Sequence, residues 1–125
     1  MPTNIEHMPH DHGQNIEQVL EKMPPEPEFL KAANTFQQLC DSTRLRILWL
    51  LCHSEECVYN IAAAVGMSGS AVSHHLRILK QTGFISYRRV GKEVHYTLAD
   101  TEAAQLLHRM IDDIFDMNCP RNSIR

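Results

Sequence analysis

Along the chain, apolar positions return mostly at intervals of three and four, the period of a helix that buries one face. Once, the pattern shifts toward the short β-rich runs of a hairpin. From Glu26 to Leu39, Phe29, Ala32, Ala33 and Phe36 share one side. "CDSTRLRILWLLCH" opens on Ser42, whose hydroxyl suits it to cap a helix. The stretch then spaces Leu45, Leu48, Leu51 and Cys52 along a stripe and predicts the most deeply buried helix. "VYNIAAAVG" sets Val58, Ile61, Ala62 and Val65 at i, i+3, i+4 and i+7, and stops at Gly66, which takes left-handed backbone without a Cβ clash. Ser68 can cap the next helix, whose inward stripe is Val72, Leu76 and Leu79. Two short helices joined by a glycine-bearing turn predict a helix-turn-helix.

The polar positions of that second helix are equally ordered. Ser70, Ser73, His74, Arg77 and Gln81 fall at i, i+3, i+4, i+7 and i+11, an outward face without a carboxylate. His75 lies between Val72 and Leu79 on the inward side, and consecutive helix residues diverge by about 100°, so His74 and His75 cannot readily share one metal ion. "GFISYRRVGKEVHYTL" has β-rich runs on either side of Val90-Gly91-Lys92, a hairpin signal with cations at its tip. A basic hairpin behind such a helix predicts a winged helix.

The last element, from about Thr101 to Asn118, carries Ala103, Leu107, Met110, Ile111 and Ile114 on one stripe and ends before Pro120. That stripe suits a dimer seam or docking on its own core, and the pattern alone favours neither. At the other end, His7, His10 and His12 sit in a polar stretch that reads as a mobile arm. A short helix over Gln14 to Lys22 can follow, before "MPPEPEF" breaks it. The expected organisation is an arm over residues 1–25, a DNA-binding and dimerisation domain over 26–118 and a tail over 119–125. The fold class is mainly α with a small β-hairpin.

Composition narrows the function. With 125 residues and 43% hydrophobic content, the chain makes one domain with a modest core that a second copy could enlarge. It has no apolar run of about 18 residues and no signal-peptide pattern, so a cytoplasmic protein without membrane association is expected. Cys40, Cys52, Cys57 and Cys119 form no CxxC pair and read as thiols, with Cys40 and Cys52 in the apolar helix pattern of the core.

The net charge of −3 conceals a segregation: residues 1–41 hold seven acids and two bases, whereas 57–92 hold Arg77, Lys80, Arg88, Arg89 and Lys92 and no acid. A phosphate backbone responds to such a local field. A winged helix used only for protein contacts has no need of that acid-free block. No nucleophile elbow, phosphate loop or HExxH occurs, which argues against an enzyme.

"LCDSTRLRILWLL", "ECVYNIA", "SGSAVSHHLRILKQTGFI" and "RRVGKEVHYTLAD", in that order and spacing, closely resemble the ArsR/SmtB family of bacterial metal-responsive repressors, over roughly Phe29 to Phe115. The resemblance implies a winged helix-turn-helix with four helices, a two-stranded hairpin and a fifth helix. It also implies a homodimer seamed by its first and last helices. Such a dimer would hold double-stranded operator DNA near a metal efflux or detoxification gene and let go when metal binds. On that footing Ser68, Ser70, Ser73, His74, Arg77 and Gln81 are expected in or beside the major groove, with Arg88, Arg89 and Lys92 on phosphate.

The resemblance offers two places for a divalent effector such as Zn(II), Cd(II) or Co(II). In one, paired terminal helices join a DxH near one helix start to two ligands near the partner's helix end. "LADTE" supplies Asp100 and Glu102 and "DDIFD" supplies Asp113 and Asp116, with carboxylates where histidines are expected at 102 and 113. His108 and Asp112, one turn apart, are a mixed alternative, and a solvated acidic face is the plain reading. In the other, the arm meets a thiolate-rich CVC motif. Here that motif is Cys57-Val58-Tyr59, and His7, His10 and His12 could complete a His/Cys site with Cys57. Some relatives answer oxidants or persulfides through a cysteine pair, so a thiol-based redox response through Cys52, Cys57 or Cys119 is the alternative.

Overall fold

A computed structural model of the chain describes residues 8–116. His7, Cys119 and the tail lie outside the described residues. The chain divides into two compact units, Met1–Phe36 and Gln37–Arg125. In the first, α1 (Ile16–Glu21) is capped by Asn15, whose Oδ1 accepts from the Gln18 amide at 3.4 Å. Helix α2 (Glu26–Leu39) follows the proline cluster, with Phe29, Leu30 and Phe36 exposed. No helix among the described residues is long and apolar enough to cross a membrane.

The second unit is built around α3 (Ser42–His53), in which Ile47, Leu48, Leu51 and Cys52 are wholly buried. The expected stripe is corrected at one end: Leu45 is 37% exposed and Ile47 takes its place. The cap shifts as well. Asp41, not Ser42, accepts from the Arg44 amide at 3.0 Å, and its carboxylate adds a favourable charge at the helix N-terminus.

After α3 comes a two-residue strand, β1 (Glu56–Cys57), then α4 (Val58–Val65) and α5 (Gly69–Thr82). Gly66 ends α4 at φ 69°, in the left-handed region, and its amide closes onto the Ala62 carbonyl. Ile61 and Val65 on α4 meet the same core cluster as Val72, Leu76 and Leu79 on α5. The helix-turn-helix is therefore held by burial on both members.

Strands β2 (Ile85–Val90) and β3 (Glu93–Leu98) form the expected hairpin, antiparallel from Ile85 opposite Leu98 to Val90 opposite Glu93. Its two-residue turn needs positive φ at the first position, and Gly91 supplies it at 63°. β1 pairs with the free edge of β3, Glu56 opposite Tyr96 and Cys57 opposite His95, making a three-stranded sheet in the order β1-β3-β2. This third strand corrects the two-stranded expectation.

Helix α6 (Glu102–Ile114) closes the unit, with Thr101 accepting from the Ala104 amide at 3.1 Å. Its buried residues are Ala104, Leu107, His108, Ile111 and Asp112. The expected stripe thus splits: Leu107 and Ile111 face the core, whereas Met110 and Ile114 face out beside Leu106.

Candidate nucleic-acid interface

The outward face of α5 begins at its cap. The Ser68 hydroxyl oxygen accepts from the Ala71 amide at 3.2 Å and lies 3.3 Å from the Ser70 hydroxyl, so the helix N-terminus presents two hydroxyls to solvent. Ser70, His74, Arg77 and Gln81 are exposed and Ser73 is half-buried. Directly behind them, Val72, Leu76 and Leu79 are at most 1% exposed. One face of α5 is thus anchored and the other is open, which allows long polar side chains to reach a groove from a rigid support.

His75 has a different role. Its Nδ1 accepts from Arg44 Nε at 3.2 Å, while the Arg44 guanidinium also donates to the Gln38 carbonyl at 2.8 Å. Because a guanidinium only donates, Nδ1 must carry the lone pair and the ring proton sits on Nε2. His75 thus ties α5 to the start of α3, and His74 alone of the two faces out.

The sheet supplies the cations beside this helix. Arg89 and Lys92 are exposed, and neither they nor Arg77 pair with a carboxylate among the described residues. Lys80 lies over the Tyr87 ring, 4.6 Å from its centroid. Arg88 is held differently: its Nε and Nη2 donate to the two Glu55 oxygens at 2.8 and 2.6 Å. That fork lowers the Glu55 carboxyl pKa, through the hydrogen bonds first and then through charge, and raises that of Arg88. A depressed carboxyl pKa means that the pair holds at neutral pH and fails only as the pH falls past that depressed value.

A phosphate approaching Arg88 would therefore have to displace Glu55. Replacing it with glutamine is expected to free the guanidinium. DNA binding should tighten several-fold, and the slope of log K against log salt should steepen by about 0.9 per released contact. An unchanged slope across a salt titration would show that Arg88 does not reach phosphate.

The candidate metal residues are placed as follows. Asp100, Glu102, Asp113 and Asp116 are exposed. The first two precede or open α6 and the last two close or follow it, about 16 Å apart at 1.5 Å per residue, so one chain does not bring them together. Their all-oxygen donor set suits hard, hydrated cations better than Zn(II) or Cd(II). His10 and His12 are exposed with ring centroids 5.8 Å apart, and Cys57 is 8% exposed at the start of α4. These are softer donors and fit the borderline metals better.

Cys52 is wholly buried, which shields it from oxidants, whereas Cys40 is exposed rather than part of the core. His108 and Asp112 do come together, with Nε2 and Oδ2 3.3 Å apart. They are joined by His53 from the end of α3, a residue that sequence spacing gave no reason to select.

Known proteins resemble this chain in sequence and in fold. Residues 41–87 match the family model described as "Bacterial regulatory protein, arsR family". A transcriptional repressor SmtB homolog of Synechocystis sp. is 38% identical over 103 residues, covering 82% of this chain and 78% of that protein. The transcriptional regulator NmtR of Mycobacterium tuberculosis is 42% identical over 81 residues, covering 65% of this chain and 68% of that protein. Among solved structures, a homodimeric winged helix-turn-helix DNA-binding domain of Mycobacterium bovis, a possible ArsR-family regulator, superposes with a TM-score of 0.64. It is 30% identical and covers 76% of this chain and 88% of that one.

Proposed function

The chain belongs to the ArsR family of bacterial regulatory proteins, and on that footing we propose that it is a DNA-binding transcriptional repressor, acting as a homodimer, that releases its operator when a divalent metal ion binds. The family is one of regulators, not enzymes. The observation that carries the reading is the outward face of α5: two hydroxyls, an imidazole, a guanidinium and an amide stand on a buried apolar stripe, with no acid between residues 57 and 92.

Ser68, Ser70, Ser73, His74, Arg77 and Gln81 would meet the major groove, and Arg89 and Lys92 the phosphates, with Arg88 joining after exchanging Glu55 for the backbone. The exposed apolar residues of α6 supply the seam. A dimer sets two such helices against two half-sites, so one conformational change acts on both contacts. Such a protein works in the cytoplasm, where the DNA is.

The effector is read as Zn(II), Cd(II) or Co(II), from the metal-responsive character of the resemblance and from the His/Cys donors that the sequence offers at Cys57, His7, His10 and His12. A coupling of about 1–3 kcal/mol, or roughly 5- to 150-fold in affinity, is enough to change operator occupancy.

The test is a labelled duplex, selected by the protein itself from a random pool, titrated as its complex with Zn(II), Cd(II), Co(II), Ni(II) and an oxidant. Release by one of the metals is expected. Release by the oxidant alone would move the reading to a thiol sensor, and release by none would remove the effector. In the same assay, Cys57→Ser is expected to blunt the metal response if the arm site operates. A full response would leave the carboxylates of the terminal helix.

A further inference from the structure

A group of side chains in the interior of one subunit has the composition of a metal site: it adds His53 to the pair His108 and Asp112 and uses none of the four terminal-helix carboxylates or the arm donors. His53 stands at the C-terminal end of α3, and His108 and Asp112 lie one turn apart on the buried face of α6. Each offers one ligand atom, and these atoms lie within 4.8 Å of one another. The closer separations are 3.6 Å from His53 Nε2 to Asp112 Oδ1 and 3.3 Å from His108 Nε2 to Asp112 Oδ2. A tetrahedral ion with bonds of about 2.0–2.2 Å sets neighbouring ligand atoms about 3.3–3.6 Å apart. These two separations reach different oxygens of Asp112, and the three single ligand atoms lie within 4.8 Å of one another, so a small side-chain adjustment brings them to that spacing.

The tautomer of His53 agrees. Its Nδ1 lies 2.6 Å from the Trp49 carbonyl, and a carbonyl only accepts, so Nδ1 carries the proton. In the neutral ring the lone pair is then on Nε2, the atom turned toward Asp112, and that atom is buried without a hydrogen bond among the described residues. A lone pair facing a carboxylate leaves a position between them that a proton or a metal cation fills. A backbone carbonyl holding the other ring nitrogen is also the usual support behind a metal-bound imidazole. His108 is 0% exposed and Asp112 2%, so a bound ion would be shielded from bulk water on the α6 side.

From these observations we infer that His53, His108 and Asp112 form an intrasubunit binding site for a borderline divalent cation of the Zn(II) and Co(II) class, with a fourth position left for water. Two imidazoles and one carboxylate are a donor set suited to such ions and a poor one for Mg(II) or Ca(II). The site fastens the end of α3 to the middle of α6. At its other end, α3 is tied to the reading helix through Arg44 and His75. Metal at this point thus links the apolar outer face of α6 to the DNA-reading head. This regulatory consequence rests on the repressor reading, whereas the site itself does not.

The test uses the full-length chain, freed of metal by a chelator, and Co(II) as the probe, with ligand-field absorption and equilibrium dialysis as readouts and Zn(II) as competitor. The expected result, read in the Cys57→Ser background so that the arm donors lack their thiolate, is one Co(II) per chain with four-coordinate absorption, displaced by Zn(II). His53→Gln is expected to weaken it by at least the roughly 10- to 100-fold that loss of a supporting partner costs. His53 is the milder position to change, since its side chain is 21% exposed whereas those of His108 and Asp112 are 0% and 3%. Asp112→Asn provides the second variant, with circular dichroism as the check on folding.

The quadruple variant Asp100→Asn, Glu102→Gln, Asp113→Asn, Asp116→Asn and the single variant Cys57→Ser are expected to retain this ion. Equal affinity in wild type and His53→Gln would overturn the site, as would no Co(II) binding by the wild type. If the ion binds as expected but saturating metal leaves operator affinity unchanged, the site stands and the effector part of the proposed function falls.

Discussion

Replacing Arg77 with alanine is expected to weaken operator binding by about 30-fold to 10⁴-fold while leaving the fold, the dimer and metal uptake intact. Arg77 is exposed on α5, one position beyond the buried Leu76, and its side chain adds nothing to the core cluster. A bidentate arginine contact to a base is worth about 1–3 kcal/mol of discrimination, and a homodimer makes it twice, so about 2–6 kcal/mol is at stake. Arg77→Lys should recover only part, because it restores the charge without the planar fork. Fluorescence anisotropy at one fixed salt concentration measures this. Equal loss of DNA binding and metal uptake would contradict the separation between reading face and effector.

The second large effect lies on α6. Leu106, Met110 and Ile114 recur every fourth residue and are 53%, 50% and 69% exposed, with Phe115 at 57% beside them. So much exposed apolar surface on one face of a terminal helix marks a contact surface. Burying a large apolar side chain contributes about 1.5–3 kcal/mol, and Met110→Glu with Ile114→Glu removes four such side chains from a two-fold seam. The dimer should weaken by about 6 kcal/mol or more, roughly 10⁴-fold. Sedimentation should then show monomers at micromolar concentration, and operator affinity should fall to that of a single half-site. A dimer that survives both changes would place the seam elsewhere.

Helix α5 and its open polar face were legible because three independent signals agree there: the serine cap, the three-and-four spacing of Val72, Leu76 and Leu79, and the absence of acids. His75 was also readable as inward, although its partner was not, because Arg44 is 31 residues away. Errors arose where local chemistry offers two equal answers. Asp41 and Ser42 can both cap a helix, and the carboxylate took the position. β1 has two residues and exists only because β3 offers it an edge.

On α6 the sequence contains two apolar faces, and period alone cannot say which one docks on the chain's own core. The polar pair His108 and Asp112, one turn apart and so an alternative ligand pair by sequence, occupies the inner face with Leu107 and Ile111. The arrival of His53, 55 residues earlier in the chain, and the pairing of Glu55 with Arg88 across 33 residues are tertiary facts with no local signature.

The most direct measurement is a set of amide and side-chain NMR shifts recorded as the self-selected duplex is added to the full-length protein. The account predicts that the changes concentrate on Ser68 to Gln81 and on the β2–β3 turn around Arg89 and Lys92, and that they disappear at high salt. Changes centred on any other surface, with Ser70, His74 and Arg77 unmoved, would contradict it.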